Sequence, residues 1–226
     1  MPRITEIIVQ SVQDAVNAQA GGSQRVELVS ALSEGGLTPS IGLIYHTLQK
    51  VSIEVAIMIR PNNISFVYDK YDLEVMKKDI SEIEKLDGNK RIVLGALTKE
   101  GEIDFEAVDY LIKDTKMPIT FHRAIDSSKN YLKSIKELNN YKNITHILTS
   151  GGGAKAHENI QSLNDAIEIS NKTIICGSGI TMETMKKIAS SIKSDKVYDF
   201  HIGSFAQNEN QVVDVDKVKE LVKSNV

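Results

Sequence analysis

The sequence contains few of the residues that define several common classes of protein. Its single cysteine, Cys176, excludes an intramolecular disulfide framework and a zinc site built from several cysteines. No HxxxH or HEXXH spacing occurs, so a dedicated zinc site with paired histidines is not indicated. The absence of a GxSxG elbow removes the usual sign of a serine nucleophile.

The chain also lacks a strong charge bias and any long apolar run. It has 27 Lys and Arg against 30 Asp and Glu, for a net charge of -3, and no block of basic residues. We therefore expect no nucleic-acid partner. No stretch is long enough to span a bilayer, and the first residues do not have the pattern of a secretory signal. We expect a cytoplasmic protein with no membrane partner.

Short apolar runs alternate with longer segments of helical periodicity along the whole chain. The runs that predict strands are 4–10, 25–30, 53–60, 91–97, 117–123, 145–150, 173–177 and 196–203. Asp104 and Thr181 occupy typical N-cap positions, and Gly21 and Gly22 stand where the first helix should end. With no Pro/Gly/Ser-rich linker, this nearly even alternation predicts a single-domain (β/α)8 TIM barrel over residues 1–226. A doubly wound sheet is the alternative, but eight strands in so short a chain fit closure better.

Alternation within each strand predicts which side chains point into the barrel. The helix-facing set should be apolar, which assigns Ile7 and Val9 to the helix side and Glu6 to the interior. The same argument places polar residues of five strands inside, namely Glu6, Arg25, Glu27, Glu54, Arg60, Thr120, His122, Asp199 and His201. It also assigns the apolar residues Ala56 and Met58 of the third strand to the interior. A structural ion-pair network would explain such a set. We favour a functional site, because several members lie at the carboxyl ends of strands, where barrel active sites are found.

The stretch 118–126, PITFHRAID, is the first choice for an active centre because an apolar strand ends there in His122, Arg123 and Asp126. Glycine-rich segments follow four of the predicted strands, at 34–40, 149–155, 176–180 and 201–205. Backbone N–H groups in such loops cradle anions in many barrels. Together with Arg60 and Arg123, these loops predict a small anionic ligand at the barrel mouth.

The candidate site residues fall into two groups. The predicted catalytic residues are Glu27, His122, Arg123 and His201, with Glu27 or His122 as the general acid or base. The predicted substrate-binding residues are Glu6, Arg25, Arg60, Ser150, Gly151, Gly177 and Gly179. Isomerase, lyase and hydrolase chemistry all stay open, because nothing in the residues chooses among them.

Several motifs together resemble the CutC family. They are RVELVSALSEGGLTPSIGLI, IMIRP followed by FVYD, GALTKEGEID, TFHRAID, ILTSGG, CGSGI and DFHIG, in the same order and over nearly the whole chain. The resemblance implies a (β/α)8 barrel in a cytoplasmic homo-oligomer, with a dimer expected. It also implies a role in copper homeostasis, with copper as the cofactor and cysteines as Cu(I) ligands.

The sequence departs from this resemblance at the cysteines. Relatives often carry cysteines in the neighbourhoods of Val9, Val29, Val67 and Ser127, where this chain has none. Cu(I) prefers thiolate or thioether ligands, which leaves Cys176 as the candidate metal ligand, although an inert thiol is the alternative. Two hypotheses therefore stay open: a Cu(I)-binding copper homeostasis protein, or a barrel enzyme acting on a small anionic substrate.

Overall fold

Strands and helices alternate regularly in this computed structural model, which describes residues 3–225. The strands are β1 (Thr5–Val9), β2 (Arg25–Leu28), β3 (Glu54–Met58), β4 (Lys90–Leu94), β5 (Ile119–Phe121), β6 (Ile144–Thr149), β7 (Thr173–Cys176) and β8 (Tyr198–Ile202). The helices are α1 (Val12–Ala20), α2 (Ile41–Lys50), α3 (Lys70–Glu84), α4 (Phe105–Ile112), α5 (Tyr131–Leu138), α6 (Ile160–Ile169), α7 (Met182–Ser191) and α8 (Val215–Ser224). The predicted domain also includes Met1, Pro2 and Val226, which lie outside the described residues.

The strands form one closed parallel barrel in chain order, and β1 pairs with both β2 and β8. This closure confirms the predicted (β/α)8 fold and excludes the doubly wound alternative, because an open sheet has two unpaired edges. Each strand overlaps its predicted run. β5 is the shortest because His122, the next residue, already begins the 3₁₀ turn Arg123–Ser127.

Local capping sets several of the predicted helix ends. The Asp104 side chain accepts the backbone N–H of Ala107 at 2.9 Å at the start of α4. Thr181 forms a capping box with Thr184 at the start of α7, and Gly21 is the C-cap of α1. These predictions succeed because a cap depends on residues within one turn of the helix.

The strands separate two apolar regions. Their helix-facing side chains, such as Ile7, Leu28 and Phe121, belong to the main core between strands and helices. A smaller cluster lies apart from it and consists of Ile8, Val29, Ala56, Met58 and Val93. This division confirms the predicted alternation, since Ala56 and Met58 were assigned to the interior. Leu148 and Ile175 are also buried and belong to neither region, and many of the other buried side chains of the strands are polar.

Strand β6 interrupts the alternation with a bulge. Ile119 of β5 pairs with Ile144, whereas the next residue, Thr120, pairs with His146. Thr145 is thus an extra residue, and His146 shares the interior face with Thr120. A strict period of two along β6 cannot show this placement.

Candidate functional site

A buried ion-pair network fills the amino-terminal half of the barrel interior. At its centre Arg25 donates from Nη2 to Oδ2 of Asp199 at 2.9 Å and from Nε to Glu6. Glu54 lies 3.8 Å from Nη1 of Arg25 and 3.0 Å from Nη2 of Arg91. Burial opposes the charge of Arg25, but Glu6 and Asp199 more than offset this and raise its pKa. Buried charges that pair with one another in this way are typical of a structural network.

His146 belongs to the same network, between the two arginines. Its Nδ1 lies 2.6 Å from Nη1 of Arg91, and its Nε2 lies 3.4 Å from Nη1 of Arg25. Burial, helped by the two guanidinium charges, lowers the pKa of His146 to about 2. The ring is therefore neutral and accepts a hydrogen bond from Arg91.

The sequence prediction did not include Arg91 or His146 in the interior set. In β4 the alternation of apolar Ile92 and Leu94 does indicate an inward Arg91, so this signal was available. No comparable signal existed for His146, because the bulge in β6 shifts its face.

Glu6 connects this network to the carboxyl-terminal half of the barrel. One of its oxygens accepts from Arg25, and the other, Oε1, lies 2.6 Å from Nδ1 of His201. On the other side of the imidazole, Nε2 of His201 lies 3.6 Å from Oε2 of Glu27. Burial would raise the pKa of Glu6, but the charge of Arg25 and the contact with His201 hold it well below its usual range. Burial would lower the pKa of His201, but Glu27 and Glu6 raise it. His201 thus bridges two buried carboxyl groups.

Glu27 differs from Glu6 because it has no guanidinium in direct contact. Burial raises its pKa to about 7, with His201 opposing the shift. Its Oε1 atom is buried and has no hydrogen-bond partner among residues 3–225. A carboxyl group that changes protonation near neutral pH and keeps one oxygen unpaired is suited to proton transfer.

A cavity of about 780 Å³ opens at the carboxyl ends of the strands. Six of the predicted site residues line it, namely Glu27, Arg60, His122, Arg123, Gly179 and His201. Ile8, Val29, Met58 and Leu148 add an apolar surface to the same wall. The cavity therefore combines titratable groups, arginines and apolar contacts, as expected of a small-molecule site.

One ring nitrogen of His122 is hydrogen-bonded to the backbone, and the other has no partner among residues 3–225. Its Nδ1 accepts the N–H of Ala124 at 3.2 Å, so the proton of the neutral ring resides on Nε2. Nε2 is buried without a partner in the described part of the chain. Burial and the charge of Arg60 lower the pKa of His122 to about 3. His122 is thus a neutral N–H donor.

Arg60 lies beside His122 with one aromatic ring between them. The guanidinium carbon of Arg60 is 4.8 Å from the centre of the Phe66 ring, which lies 5.0 Å from the imidazole of His122. Nη1 of Arg60 donates to the carbonyl oxygen of Glu34 at 3.2 Å, but its buried Nε has no partner within residues 3–225. This arrangement holds a positive charge against the cavity wall.

Arg123 is oriented by Asp126 and the loop after β6. Its Nε lies 2.9 Å from Oδ2 of Asp126, and its Nη2 donates to Oγ of Ser150 at 3.2 Å. Asp126 also accepts the N–H groups of Ser150 and Gly152, at 3.0 Å and 3.1 Å. The ion pair thereby fixes both the arginine and the glycine-rich loop.

The remaining predicted binding residues lie outside the cavity wall. Glu6 and Arg25 lie in the buried network beneath it, and Ser150 and Gly151 lie in the loop held by Asp126. Gly177 is packed so closely that a Cβ there would lie 2.7 Å from Cδ1 of Leu148. Their part in binding stays a prediction. Gly153, Ser178 and Phe205 line the cavity from three of the predicted glycine-rich segments, although none of them was named as a binding residue. Phe66 also lines it and was outside the prediction, because its only signal is that it follows a strand.

One cluster of side chains and one cysteine are the candidate metal ligands. Glu6, Glu27 and His201 each offer one ligand atom, within 4.8 Å of one another. Glu6 is already bonded to Arg25 and His201, and an oxygen and imidazole donor set suits hard or intermediate divalent cations, not Cu(I). Cys176, the predicted metal ligand, is buried in the core between strands and helices, and burial raises its pKa to about 12. Its thiol is therefore not arranged for a metal at the cavity.

Comparison with known proteins decides the family. The profile of the CutC family matches residues 3–203. The chain belongs to the CutC family. A copper homeostasis protein cutC homolog of Homo sapiens is 38% identical over 201 residues, which cover 88% of this chain and 72% of the human protein. A family protein CutC of Aliivibrio fischeri is 37% identical over 202 residues, covering 87% of this chain and 80% of the relative.

Solved structures agree with the fold. The crystal structure of a CutC protein from Streptococcus agalactiae, named for copper homeostasis, has 32% identity and a TM-score of 0.78, covering 90% of this chain and 98% of that one. Phosphoribosylanthranilate isomerase from Thermotoga maritima has a TM-score of 0.63 at 14% identity, covering 100% of this chain and 98% of that one, which shows a shared barrel and nothing about activity.

In residues 3–225, no helix combines the length and apolar character needed to cross a bilayer.

Proposed function

We propose that this CutC-family protein is an enzyme that transfers a proton within a small anionic substrate bound at the barrel mouth. The observation that carries the proposal is Glu27: a buried carboxyl group, with a pKa of about 7 and an unpaired Oε1, in the wall of the cavity. A structural carboxylate would be expected to have both oxygens paired, as Glu6 has.

In this proposal Glu27 is the general acid or base. Its pKa lies near neutral pH, where a group can both accept and return a proton efficiently. His201, held through Nδ1 by Glu6, lies beside Glu27, and in its protonated form it stabilises the carboxylate form of Glu27. Glu6 and His201 are positioning residues under this scheme.

The anionic part of the substrate would be held by arginine. Arg60 and Arg123 both line the cavity, and two hydrogen bonds from each guanidinium to neighbouring groups fix its orientation. Ser178 and Gly179, with φ of 76° and 69°, add backbone from the loop after β7 to the same wall. Arginine and loop backbone at the carboxyl face of a barrel are a common anion-binding combination.

Copper homeostasis is the second candidate, because it is the role named for the relatives of this chain. Direct Cu(I) binding fits the residues poorly, since the cavity offers one thioether, Met58, and the thiol of Cys176 lies in the outer core. A cytoplasmic location, a homodimer and the absence of nucleic-acid and membrane partners stay predictions from the sequence.

The proposal can be tested without knowing the substrate. Binding of inorganic phosphate and acetate is measured by calorimetry for the wild type, Arg123→Gln and Lys133→Gln. Lys133 is an exposed cation on α5, so its replacement matches the charge change away from the cavity. We expect Arg123→Gln to weaken binding by about tenfold, which corresponds to one lost charge-assisted hydrogen bond. Lys133→Gln should bind like the wild type.

Turnover is examined by incubating a small-molecule cell extract with the wild type or Glu27→Gln and comparing the extracts by mass spectrometry. We expect at least one anionic compound to be converted by the wild type and left intact by Glu27→Gln. In parallel, Cu(I) competition under reducing conditions compares the wild type with Cys176→Ser. Failure of both anions to bind, together with Cu(I) binding that depends on Cys176, would replace the enzyme proposal with the copper one.

A further inference from the structure

The cavity contains two buried side chains with unpaired atoms of complementary function. Oε1 of Glu27 is available to take a proton, and Nε2 of His122 is available to donate a hydrogen bond. Neither atom has a partner among the described residues, although both residues line the same cavity. Because unpaired buried polar atoms are costly, a substrate that satisfies both at once is favoured.

We infer that the substrate is a small anion in which a C–H bond stands next to a carbonyl group, with His122 donating its Nε2–H to the carbonyl oxygen while Glu27 removes the neighbouring proton. This inference rests on the proposed function and names the substrate class and the roles of both residues.

The hydrogen bonding of His122 suits it to a different role from that of the two cavity arginines. Its Nδ1 is occupied by the N–H of Ala124, so the ring can neither accept a proton at Nε2 nor gain one at Nδ1 without breaking that bond. A neutral donor contributes most where negative charge develops during the reaction, because the bond to an oxyanion is stronger than the bond to a carbonyl. The two cavity arginines are better suited to the permanent charge of the substrate.

The step balances without a further reactant. The C–H bond breaks and its proton moves to Glu27, while the C–H electron pair forms a carbon–carbon double bond. The carbonyl π pair moves onto oxygen, which becomes an enolate oxyanion hydrogen-bonded to Nε2–H of His122. Return of the proton from Glu27 to the same carbon regenerates the substrate and allows exchange of this proton with solvent. Where that carbon carries a hydroxyl group, transfer of the O–H proton to the enolate oxygen and return of the proton from Glu27 to the former carbonyl carbon give the isomeric carbonyl compound and restore the enzyme.

The surroundings of His122 keep its ring neutral. Arg60 lies beyond Phe66 on one side, and burial lowers the tendency of the ring to take a proton. His201 in the same cavity has the opposite environment, because Glu6 and Glu27 flank it. The opposite electrostatic environments of these two histidines indicate different chemical roles.

The test uses planar enolate mimics, each paired with a simple anion. Oxalate is compared with acetate, and 2-phosphoglycolate with inorganic phosphate, for the wild type, His122→Phe and His122→Gln. In the wild type we expect at least one mimic to bind about tenfold or more tightly than its paired anion, as one extra hydrogen bond to a charged oxygen would give. His122→Phe should abolish this preference while simple anions still bind, and His122→Gln, which keeps an N–H donor, should restore part of it.

The outcomes separate this inference from the proposed function. If simple anions bind to the wild type and neither mimic is preferred, the carbonyl inference is wrong and anion binding stands. If no anion or mimic binds, the proposed function fails as well. A preference that persists in His122→Phe also overturns the assignment of His122.

A second measurement does not depend on the folding of variants. In wild-type protein labelled with ¹⁵N-histidine, the ring signals of His122 should show a neutral Nε2–H tautomer, and the Nε2 signal should shift when the preferred mimic is added. A charged ring, an Nδ1–H tautomer, or an Nε2 signal unmoved by a bound mimic would contradict the inference.

Discussion

Nδ1 of His201 lies 2.6 Å from Oε1 of Glu6, and both side chains are buried inside the barrel. This contact joins two parts of the interior that have different characters. Below it, the charges around Arg25 are paired in a structural network. Above it, Glu27 and the cavity contain polar atoms without partners among residues 3–225.

Replacing Glu6 should destabilise the fold. Glu6→Gln removes one of the carboxylates that pair with Arg25 and leaves a buried guanidinium less compensated, which we expect to cost about 3 to 5 kcal/mol. Urea unfolding at neutral pH measures the change. The control is Glu102→Gln, because Glu102 pairs with Lys133 at the exposed surface, and its unfolding midpoint should not move. Equal midpoints for both variants would contradict a structural role for Glu6.

The acid dependence of stability should depend on His122. Its pKa falls from an ordinary 6.5 to about 3 in the folded state, so the unfolded state takes up a proton first as the pH falls. Stability is therefore lost between these two values. Relative to His122→Gln, which does not titrate, the wild type should lose about 2 to 4 kcal/mol over this range, at about 1.4 kcal/mol per pKa unit. Urea unfolding of both proteins at several pH values gives the comparison, and parallel curves would refute it.

Glu27 should impose the opposite dependence at higher pH. The pKa of Glu27 is about 7 in the folded state, whereas the ordinary value is 4.5. Between these two values the folded state binds more protons than the unfolded state, so stability falls as the pH rises. Glu27→Gln cannot ionise, and we expect it to gain about 1 to 3 kcal/mol relative to the wild type from about pH 5 to about pH 8. Denaturant unfolding across this range measures the gain. A difference that stays constant with pH would show that Glu27 is not shifted.

Gly95 should be required for the position of His122. A Cβ at Gly95 would lie 2.6 Å from Nδ1 of His122 and 3.1 Å from the Phe121 ring, so Gly95→Ala must displace the imidazole. Overpacking of this kind costs about 1 to 3 kcal/mol and should also remove the preference for enolate mimics. Gly42→Ala is the matched control, because nothing lies within 4 Å of a Cβ there, and it should be neutral or slightly stabilising. Similar behaviour of the two variants would contradict close packing at Gly95.

Cys176 should be unreactive in the native protein. Its side chain is fully buried and its pKa is raised to about 12 by burial, so little thiolate is accessible at neutral pH. A chromogenic disulfide reagent should modify it only after unfolding in urea. A Cys176→Ser protein carrying Ser190→Cys, at an exposed position of α7, should react at once and serves as the positive control. Rapid modification of the native wild type would reopen a metal role for this thiol.

Much of the fold and part of the site could be predicted from sequence. Apolar alternation assigned Ala56 and Met58 to the interior and Ile7 to the helix side, because strand geometry repeats every two residues. The same rule brought Glu27, His122 and His201 to one axis, and all three line the cavity. The rule was not applied to β6, where one inserted residue brings His146 to the interior face.

The chemical role of each buried group was decided by tertiary structure. Glu6 and Glu27 are the same residue type on neighbouring strands, yet Arg25 holds the pKa of one below its usual range while burial raises that of the other. Likewise, burial and the charge of Arg60 lower the pKa of His122 to about 3, whereas the two carboxyl groups beside His201 raise its pKa. Periodicity and capping are local and therefore readable from the chain. Protonation depends on desolvation and on charges contributed by distant segments, which only the closed barrel brings together.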